Sequence, residues 1–390
     1  MTPVTRIKFF FIVLLSSTAV FSQSPDYELF TQPSLRNDSG ERKIFFKIEN
    51  LNFFKNNEYF NKITEGHTYI GYFLRPSFSY QPGSNTAIQA GVHLLKYAGM
   101  NGFAQALPYF RFQYRMLPCL ELVMGNIYST LNHRMIEPIY GFDRYLEQNT
   151  ESGIQFLCHT SRYKGDVWLN WHKFIEYHDA NKEQFSSGYT SELILTKTEE
   201  PLKIAVPVQF LFFHKGGQNT LDTSHLITRF NGAAGLSAQY IPSSSHFIRS
   251  IGIYGYGVYF KDLSPTPNID FTEGNGIYAN AFVTTSWVNV TCGYWRGYCF
   301  FNPMGDRMFS NISVTFPTYD AHRLAIPPRY TEKERAYLLS KVFIHHTIQK
   351  GIQLAAAFES YYDYLTPHFD MYYSLYVLCN LDFFLYQCKQ

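Results

Sequence analysis

Histidine, serine and carboxylate side chains are the groups from which a protein without cofactors builds a hydrolytic site, and the chain carries 13 histidines among 390 residues. No Gly-X-Ser-X-Gly motif, which would expose a nucleophilic serine on a tight turn, occurs in it. His345 and His346 are adjacent, so on a strand they point to opposite faces and cannot bind one metal ion together. The six cysteines show no Cys-X-X-Cys spacing. These patterns predict no enzyme, no metal site and no cofactor.

Along most of the chain, apolar and polar residues alternate with a period of two, which is the period of a β-strand. Phe110, Phe112 and Tyr114 share one face, whereas Arg111 and Arg115 lie on the other. Successive side chains of a strand point to opposite faces, so this pattern indicates strands with one apolar and one wet face. The last run, residues 373–385, alternates most regularly. Pro207 interrupts another run, where we expect a bulge or bend because proline cannot donate to a ladder.

Loop lengths give an independent indication of the fold. Seven short links, such as residues 117–118 and 349–350, alternate with eight longer ones, such as 128–151 and 300–336. Bacterial membrane barrels connect their strands by short turns on the periplasmic side and longer loops outside. The chain is therefore predicted to be an all-β, antiparallel, up-and-down transmembrane barrel of about sixteen strands, within a range of fourteen to eighteen. A soluble β-sandwich also alternates, but aromatic residues at the ends of many apolar runs favour the barrel.

Composition agrees with this fold class. Aromatic residues make up 18% of the chain and charged residues only 16%, against roughly a quarter charged in soluble domains. Arg6 and Lys8, an apolar run and small residues up to Ser22 predict a signal peptide over residues 1–22. Residues 23–42 are predicted to be a periplasmic tail or a short plug, and residues 43–390 the barrel. The net charge of +2 is dispersed, which argues against nucleic acid as a partner.

Charged and polar residues at inward positions form a second candidate set. In a barrel they either set the selectivity of a water-filled pore or pair across neighbouring strands and fill the lumen. Both alternatives fit the sequence. The residues are Arg75, Arg111, Arg115, Glu121, His172, Glu192, Lys203, Glu359 and Asp382.

The predicted third outer loop, residues 128–151, has the densest polar content. By position it resembles the constriction loop that folds into the lumen of general porins, although packing on the rim is an alternative. Its candidate residues are His133, Arg134, Glu137, Asp143, Arg144 and Glu147. The seventh outer loop, residues 300–336, is long enough to be a lid or a surface that binds a partner.

In its strand pattern the mature chain resembles the porin and porin-like class of Gram-negative outer-membrane barrels. It departs from general porins at its end, where residues 387–390 follow the aromatic closing strand in place of a terminal phenylalanine. The resemblance implies an outer-membrane location, contact with outer-membrane lipid and a channel for small polar solutes. A non-conducting subunit or anchor of a larger complex, with other outer-membrane proteins or lipoproteins as partners, is the alternative. An outer-membrane hydrolase comes third, since no Ser–His or His–Asp pattern stands out.

Overall fold

A computed structural model describes residues 25–37, 41–148, 150–217, 220–243, 247–313 and 330–388. The predicted signal peptide lies outside these residues, as do residues 314–329 of the long seventh loop. The strands are β1 Lys43–Glu58, β2 Thr68–Gly83, β3 Thr86–Tyr97, β4 Gln105–Leu117, β5 Leu120–Asn126, β6 Ser152–His159, β7 Tyr163–Lys173, β8 Glu183–Ile194, β9 Leu202–Gly216, β10 Ile227–Tyr240, β11 Ile248–Asp262, β12 Glu273–Thr285, β13 Val288–Tyr298, β14 Glu334–Gln349, β15 Ile352–Asp363 and β16 His368–Gln387.

The sixteen strands form one closed antiparallel barrel in which each strand pairs with its neighbours in the chain. β1 closes the barrel against β16, from Lys43 opposite Gln387 to Glu58 opposite Met371. The predicted fold class and strand number are confirmed. Within the described ranges, the strands are accompanied by one α-helix, α1 Asp143–Glu147, and three short 3-10 helices, Pro25–Phe30, Thr130–His133 and Arg307–Phe309. Among the described residues, no helix has the length and apolar character to span a membrane.

The period of two seen in the sequence separates the lipid face from the lumen. On β4, Phe110 is 51% exposed whereas its neighbour Arg111 is 2% exposed. On β16, Leu375 is exposed and Tyr376 is buried. The long loops lie together at one end of the barrel, which we call the outer side because bacterial barrels place their longer loops there. The ladder between β9 and β10 is interrupted at Pro207. The pair of Val208 with Ala234 is followed directly by the pair of Ala205 with Ser237.

Three segments fold into the lumen from its two ends. The third outer loop, residues 127–151, crosses it, since Glu137 forms an ion pair with Lys341 on β14 of the far wall. The described residues of the seventh outer loop, 299–313 and 330–333, include Phe300 and Phe309, which are buried in one apolar cluster with Ile136 and Ile139 of the third loop. From the inner side, Phe30 of the N-terminal segment packs edge-to-face on Tyr376, 5.0 Å between ring centroids. The interior of the barrel is therefore largely filled by its own chain.

Candidate active site

A cavity of about 330 Å³ lies at the outer side, between the first, third and seventh outer loops. We call it the vestibule. Its wall includes Asn57 and His67 from either end of the first loop, α1 of the third loop, and residues 301–307 of the seventh. Acidic, basic and hydroxyl side chains converge here on the side where outer-leaflet lipid lies. A concave site with several convergent polar groups is the expected form of a binding or catalytic site.

Asp143, the first residue of α1, stands on the vestibule wall and is fixed by two partners on β1. Its Oδ1 forms an ion pair with the ammonium of Lys55, and its Oδ2 accepts a hydrogen bond from Asn57 Nδ2 at 3.0 Å. Lys55 is fully buried, with its Nζ 3.9 Å from the centroid of the Tyr372 ring. A buried ammonium needs such a paired carboxylate, so this contact holds α1 against the barrel wall.

Asp306, a residue of the seventh loop, supplies the second carboxylate of the vestibule. Its side chain accepts a hydrogen bond from the Met308 backbone N–H at 2.9 Å. Burial and then the charge of Asp143 raise the pKa of Asp306 to about 6, although the Lys55 cation opposes the shift. A carboxylate with a pKa near neutrality is well suited to take a proton from water.

The third and seventh loops are joined by backbone contacts that place Asp306 beside α1. The Asp306 N–H donates to Glu137 O at 2.9 Å, and the Gly141 N–H donates to Met304 O at 3.0 Å. A Cβ at Gly141 would lie 2.8 Å from Asp306 N, so only glycine allows this approach. The two carboxylates are thus positioned by loop-to-loop packing.

Three arginines, Arg144, Arg229 and Arg307, line the same cavity and provide positive charge. Arg144 donates to Gln148 Oε1 at 3.1 Å, and its guanidinium carbon lies 5.2 Å from the centroid of the Tyr140 ring. Arg307 follows Asp306 directly and is exposed. Guanidinium groups stabilise oxyanions, which arise when an ester carbonyl is attacked. The vestibule therefore combines a candidate base with groups that could stabilise developing negative charge.

His133 lies deeper, within a closed network that anchors the third loop. Its Nδ1 is 2.8 Å from Asp166 Oδ2 and its Nε2 is 3.0 Å from Glu151 Oε2. Its ring stacks on Trp168 with 3.7 Å between centroids. Burial disfavours the imidazolium, but the carboxylates of Glu151 and Asp166 outweigh it and raise the pKa of His133 to about 9. With both nitrogens engaged and no exposed surface, His133 is an anchor for the loop in this conformation.

The six predicted residues of the third loop lie in four places in the structure. Asp143, Arg144 and Glu147 line the vestibule, and Glu147 accepts a hydrogen bond from Tyr69. Glu137 is buried in the middle of the lumen, where it binds Lys341 and Tyr278. His133 lies in the buried network, and Arg134 lines a small cavity with Lys164 and Glu192.

The nine predicted lumen residues have partners on the wall or on the inserted segments. Their role in selectivity remains a prediction. The contacts are Arg75 with Glu49 at 2.6 Å, Arg111 with the carbonyls of Asn126 and Ile127 at 2.7 and 2.9 Å, Arg115 with Glu121 at 3.6 Å, Glu121 with Arg36 at 3.1 Å, His172 with Ser186 at 2.9 Å, Glu192 with Lys164 at 3.8 Å, Lys203 with the carbonyls of Lys197 and Thr198 at 2.9 and 2.6 Å, Glu359 with Lys341 at 2.9 Å, and Asp382 with Lys47 at 3.0 Å.

Sequence reasoning missed Asp306, Lys55 and Asp166. Asp306 stands in a Pro-Met-Gly-Asp turn, and such a turn marks a loop without indicating what the loop meets. Asp166 precedes Val167, whose side chain faces outward, so Asp166 faces the lumen. The alternation along this strand could therefore have placed Asp166 among the predicted lumen residues. The pairing of these residues with the third loop joins chain segments that are far apart in sequence.

Comparison with known proteins adds information that the geometry alone does not give. The model of a family described as lipid A 3'-O-deacylase-type matches residues 35–388. The chain belongs to this family. No curated protein matches it significantly. Membership of the lipid A 3'-O-deacylase-type family, together with the closed barrel, supports the predicted outer-membrane localisation.

Several solved outer-membrane proteins are similar in fold at very low sequence identity. A loop-deletion mutant of OmpT from Vibrio cholerae has 9% identity and a TM-score of 0.49, with 87% of this chain and 98% of that chain covered. OprD from Pseudomonas aeruginosa has 9% identity and a TM-score of 0.48, with 90% and 97% covered. A BenF-like porin from Pseudomonas fluorescens Pf-5 has 9% identity and a TM-score of 0.48, with 88% and 100% covered.

The prediction that the chain is not an enzyme is wrong, because its deacylase-type family points to an enzyme over nearly the whole chain. That prediction relied on motifs contiguous in sequence, such as the nucleophile elbow. In this barrel the acid–base groups of the vestibule come from separate loops that meet only after folding. The polar content of the third loop indicated Asp143 and Arg144, but nothing in the local sequence indicated Asp306 or the meeting of the two loops.

Proposed function

We propose that this protein is an outer-membrane hydrolase that removes an ester-linked acyl chain from a lipid A-type glycolipid of the outer leaflet. The observation that carries the proposal is the match of residues 35–388 to the lipid A 3'-O-deacylase-type family. The vestibule supports it, because it is a polar cavity at the outer end of the barrel, the end that borders the leaflet in which such a substrate would lie.

In the proposed reaction, the carboxylate of Asp306 takes a proton from a water molecule held in the vestibule. The water oxygen then bonds to the ester carbonyl carbon, and Arg144 or Arg307 stabilises the oxyanion. The bond from the carbonyl carbon to the sugar oxygen breaks, and that oxygen takes up the proton from Asp306. The products are a fatty acid and a free sugar hydroxyl, so water supplies all the atoms that are added.

The test is incubation of the folded barrel with lipid A in mixed micelles, followed by mass spectrometry of the lipid. We expect the loss of one acyl chain with the wild type and a decrease in rate of at least about 100-fold with Asp306→Asn, within the range for loss of a general base. Asp270→Asn, at an exposed aspartate of another outer loop, is the matched control. If the wild type leaves the lipid intact, the proposed function is wrong. If Asp306→Asn remains fully active, the vestibule assignment is wrong.

A further inference from the structure

The barrel wall is not equally high all the way round. β5 has 7 residues and β6 has 8, whereas the flanking strands β4 and β7 have 13 and 11. The β4–β5 ladder begins only at Arg111 opposite Gly125, so residues 105–110 of β4 pair with β3 but have no ladder partner on β5. On the other flank, the β6–β7 ladder ends at Gly153 opposite Asn170. We call this gap in the outer half of the wall the notch.

The size of the notch corresponds to one leaflet. The unpaired part of β4, residues 105–110, is about 20 Å long at roughly 3.4 Å per residue. At the usual tilt of about 40°, it covers roughly 15 Å of depth, which is half of a hydrocarbon core of about 30 Å. The notch therefore opens onto the acyl chains of the outer leaflet.

The sequence of β4 is adapted to this unpaired edge. The Phe110 N–H points toward the β5 side, because it donates to the Asn126 side chain at 2.8 Å. Backbone groups of an antiparallel strand alternate between neighbours, so the N–H of residue 108 would point to the same side. Residue 108 is proline, which has no N–H, so one of the two further donors that would point into the notch, those of residues 106 and 108, is absent.

Side chains at the notch also depart from the pattern of the remaining wall. Leu107 shares the inward parity of Tyr109 and Arg111, yet it is 40% exposed whereas those two are 2% exposed. Ala106 and Pro108 beside it are exposed as well. An apolar side chain on the lumen face, open to its surroundings, provides a surface for an acyl chain.

The short helix α1 separates the notch from the vestibule. Toward the notch, its Leu146 carbonyl accepts from Tyr97 Oη at 2.9 Å and its Glu147 carbonyl accepts from Gln105 Nε2 at 2.9 Å. Toward the vestibule, it presents Asp143 and Arg144. A lipid in the notch is thus one helix away from the candidate active site.

We propose that the notch is a lateral binding site through which an acyl chain of an outer-leaflet lipid reaches α1 from the membrane. The opposite wall gives the contrast, since β13 and β14 are paired up to their outer ends, from Val288 opposite Ile344 to Tyr298 opposite Glu334. The described residues of that wall leave no comparable gap. The use of this access for deacylation rests on the proposed function, whereas lipid binding in the notch does not.

Photocrosslinking tests lipid binding without any turnover. The barrel is reconstituted in bilayers that contain lipid A with a diazirine near the end of an acyl chain, and the crosslinked residues are mapped by mass spectrometry. We expect adducts on Leu107 and on Glu147 at the end of α1, whose carbonyl contacts Gln105 of β4, in addition to lipid-facing residues all round the barrel. Adducts confined to outward-facing residues such as Leu338 on β14, which is 55% exposed, would overturn the proposal.

A larger side chain in the notch tests whether lipid A passes through the notch before it is deacylated. Leu107→Trp should decrease deacylation of bilayer-embedded lipid A at least 5-fold and leave hydrolysis of a short-chain soluble ester unchanged, because that ester reaches the vestibule from water. Leu338→Trp is the control, and heat-modifiable gel mobility verifies that both variants fold. An equal effect of Leu107→Trp on both substrates contradicts lateral access. Absence of hydrolysis in the wild type contradicts the proposed function and leaves the crosslinking result to decide on the notch.

Discussion

At the scale of single residues, the chemistry of the candidate site depends on two carboxylates with different partners, Asp143 and Asp306. Asp143 is neutralised by the buried Lys55, whereas Asp306 relies on one backbone N–H. The two carboxylates therefore have different environments, and the pKa of Asp306 is raised. Pairs of carboxylates with such different environments are a common basis for acid–base chemistry.

The pH dependence of deacylation should follow Asp306. A base acts in its deprotonated form, so activity should be low below a pKa of about 6 and reach a plateau above it. The charge of Asp143 contributes to raising this pKa. Asp143→Asn should therefore move the acidic limb of the kcat/KM profile to lower pH. An acidic limb that stays in place, with Asp270→Asn as the control, would contradict coupling between the two carboxylates.

At the scale of elements, the third outer loop is the part of the chain that turns a barrel into a site. Its ends are neighbours, Asn126 opposite Ser152, yet its middle reaches Lys341 on the far wall. The His133 network fixes the loop to β7, and the Asp143–Lys55 ion pair fixes α1 to β1. Two charged anchors at separate heights hold the loop in one path across the lumen.

His133→Gln should lower barrel stability by about 3 kcal/mol or more, because it leaves two buried carboxylates without their cation. The pKa of His133 is raised above its ordinary value to about 9. Its contribution is therefore complete below about pH 6.5 and is lost as the pH rises through 9. Relative to the wild type, His133→Gln should lose its folded gel band at a much lower temperature at pH 6 and at only a slightly lower temperature at pH 10. The same loss at both pH values, relative to the exposed-residue control His225→Gln, would exclude a charged histidine.

At the scale of the whole molecule, the sheet closes on itself, its outer half is interrupted at the notch, and the lumen is largely filled by inserted segments. The filled lumen and the deacylase-type family membership argue against a wide open channel. The wall supplies the scaffold, and the inserted loops supply the chemical groups.

Conductance should be small in the intact barrel and increase when the third loop is removed. Replacing residues 128–150 by a short glycine–serine link joins β5 to β6 across the Asn126–Ser152 pair without strain. In planar bilayers we expect stable, larger steps from this variant because it opens a path across the lumen. Shortening the outer loop at residues 176–181 is the control. Large steps from the intact protein would show that the inserted loops do not block the lumen.

The sequence by itself determined the wall of this barrel. Strand alternation is local, since neighbouring residues such as Phe110 and Arg111 point to opposite faces whatever else the chain does. Loop lengths are local as well, so strand number, antiparallel order and the inward position of Arg75 or Glu359 could be read from the residues alone. Each of these features follows from chain geometry within one hairpin.

Only the tertiary structure decided what fills and interrupts that wall. The contact of Glu137 with Lys341 spans 204 residues, and Asp306 is next to Gly141 only because two loops pack on each other. Loop paths depend on such long-range packing, to which no sequence period corresponds. The sequence therefore indicated Asp143 and Arg144 as polar loop residues, but neither Asp306 nor its position beside them, whereas the wall that carries the loops could be predicted.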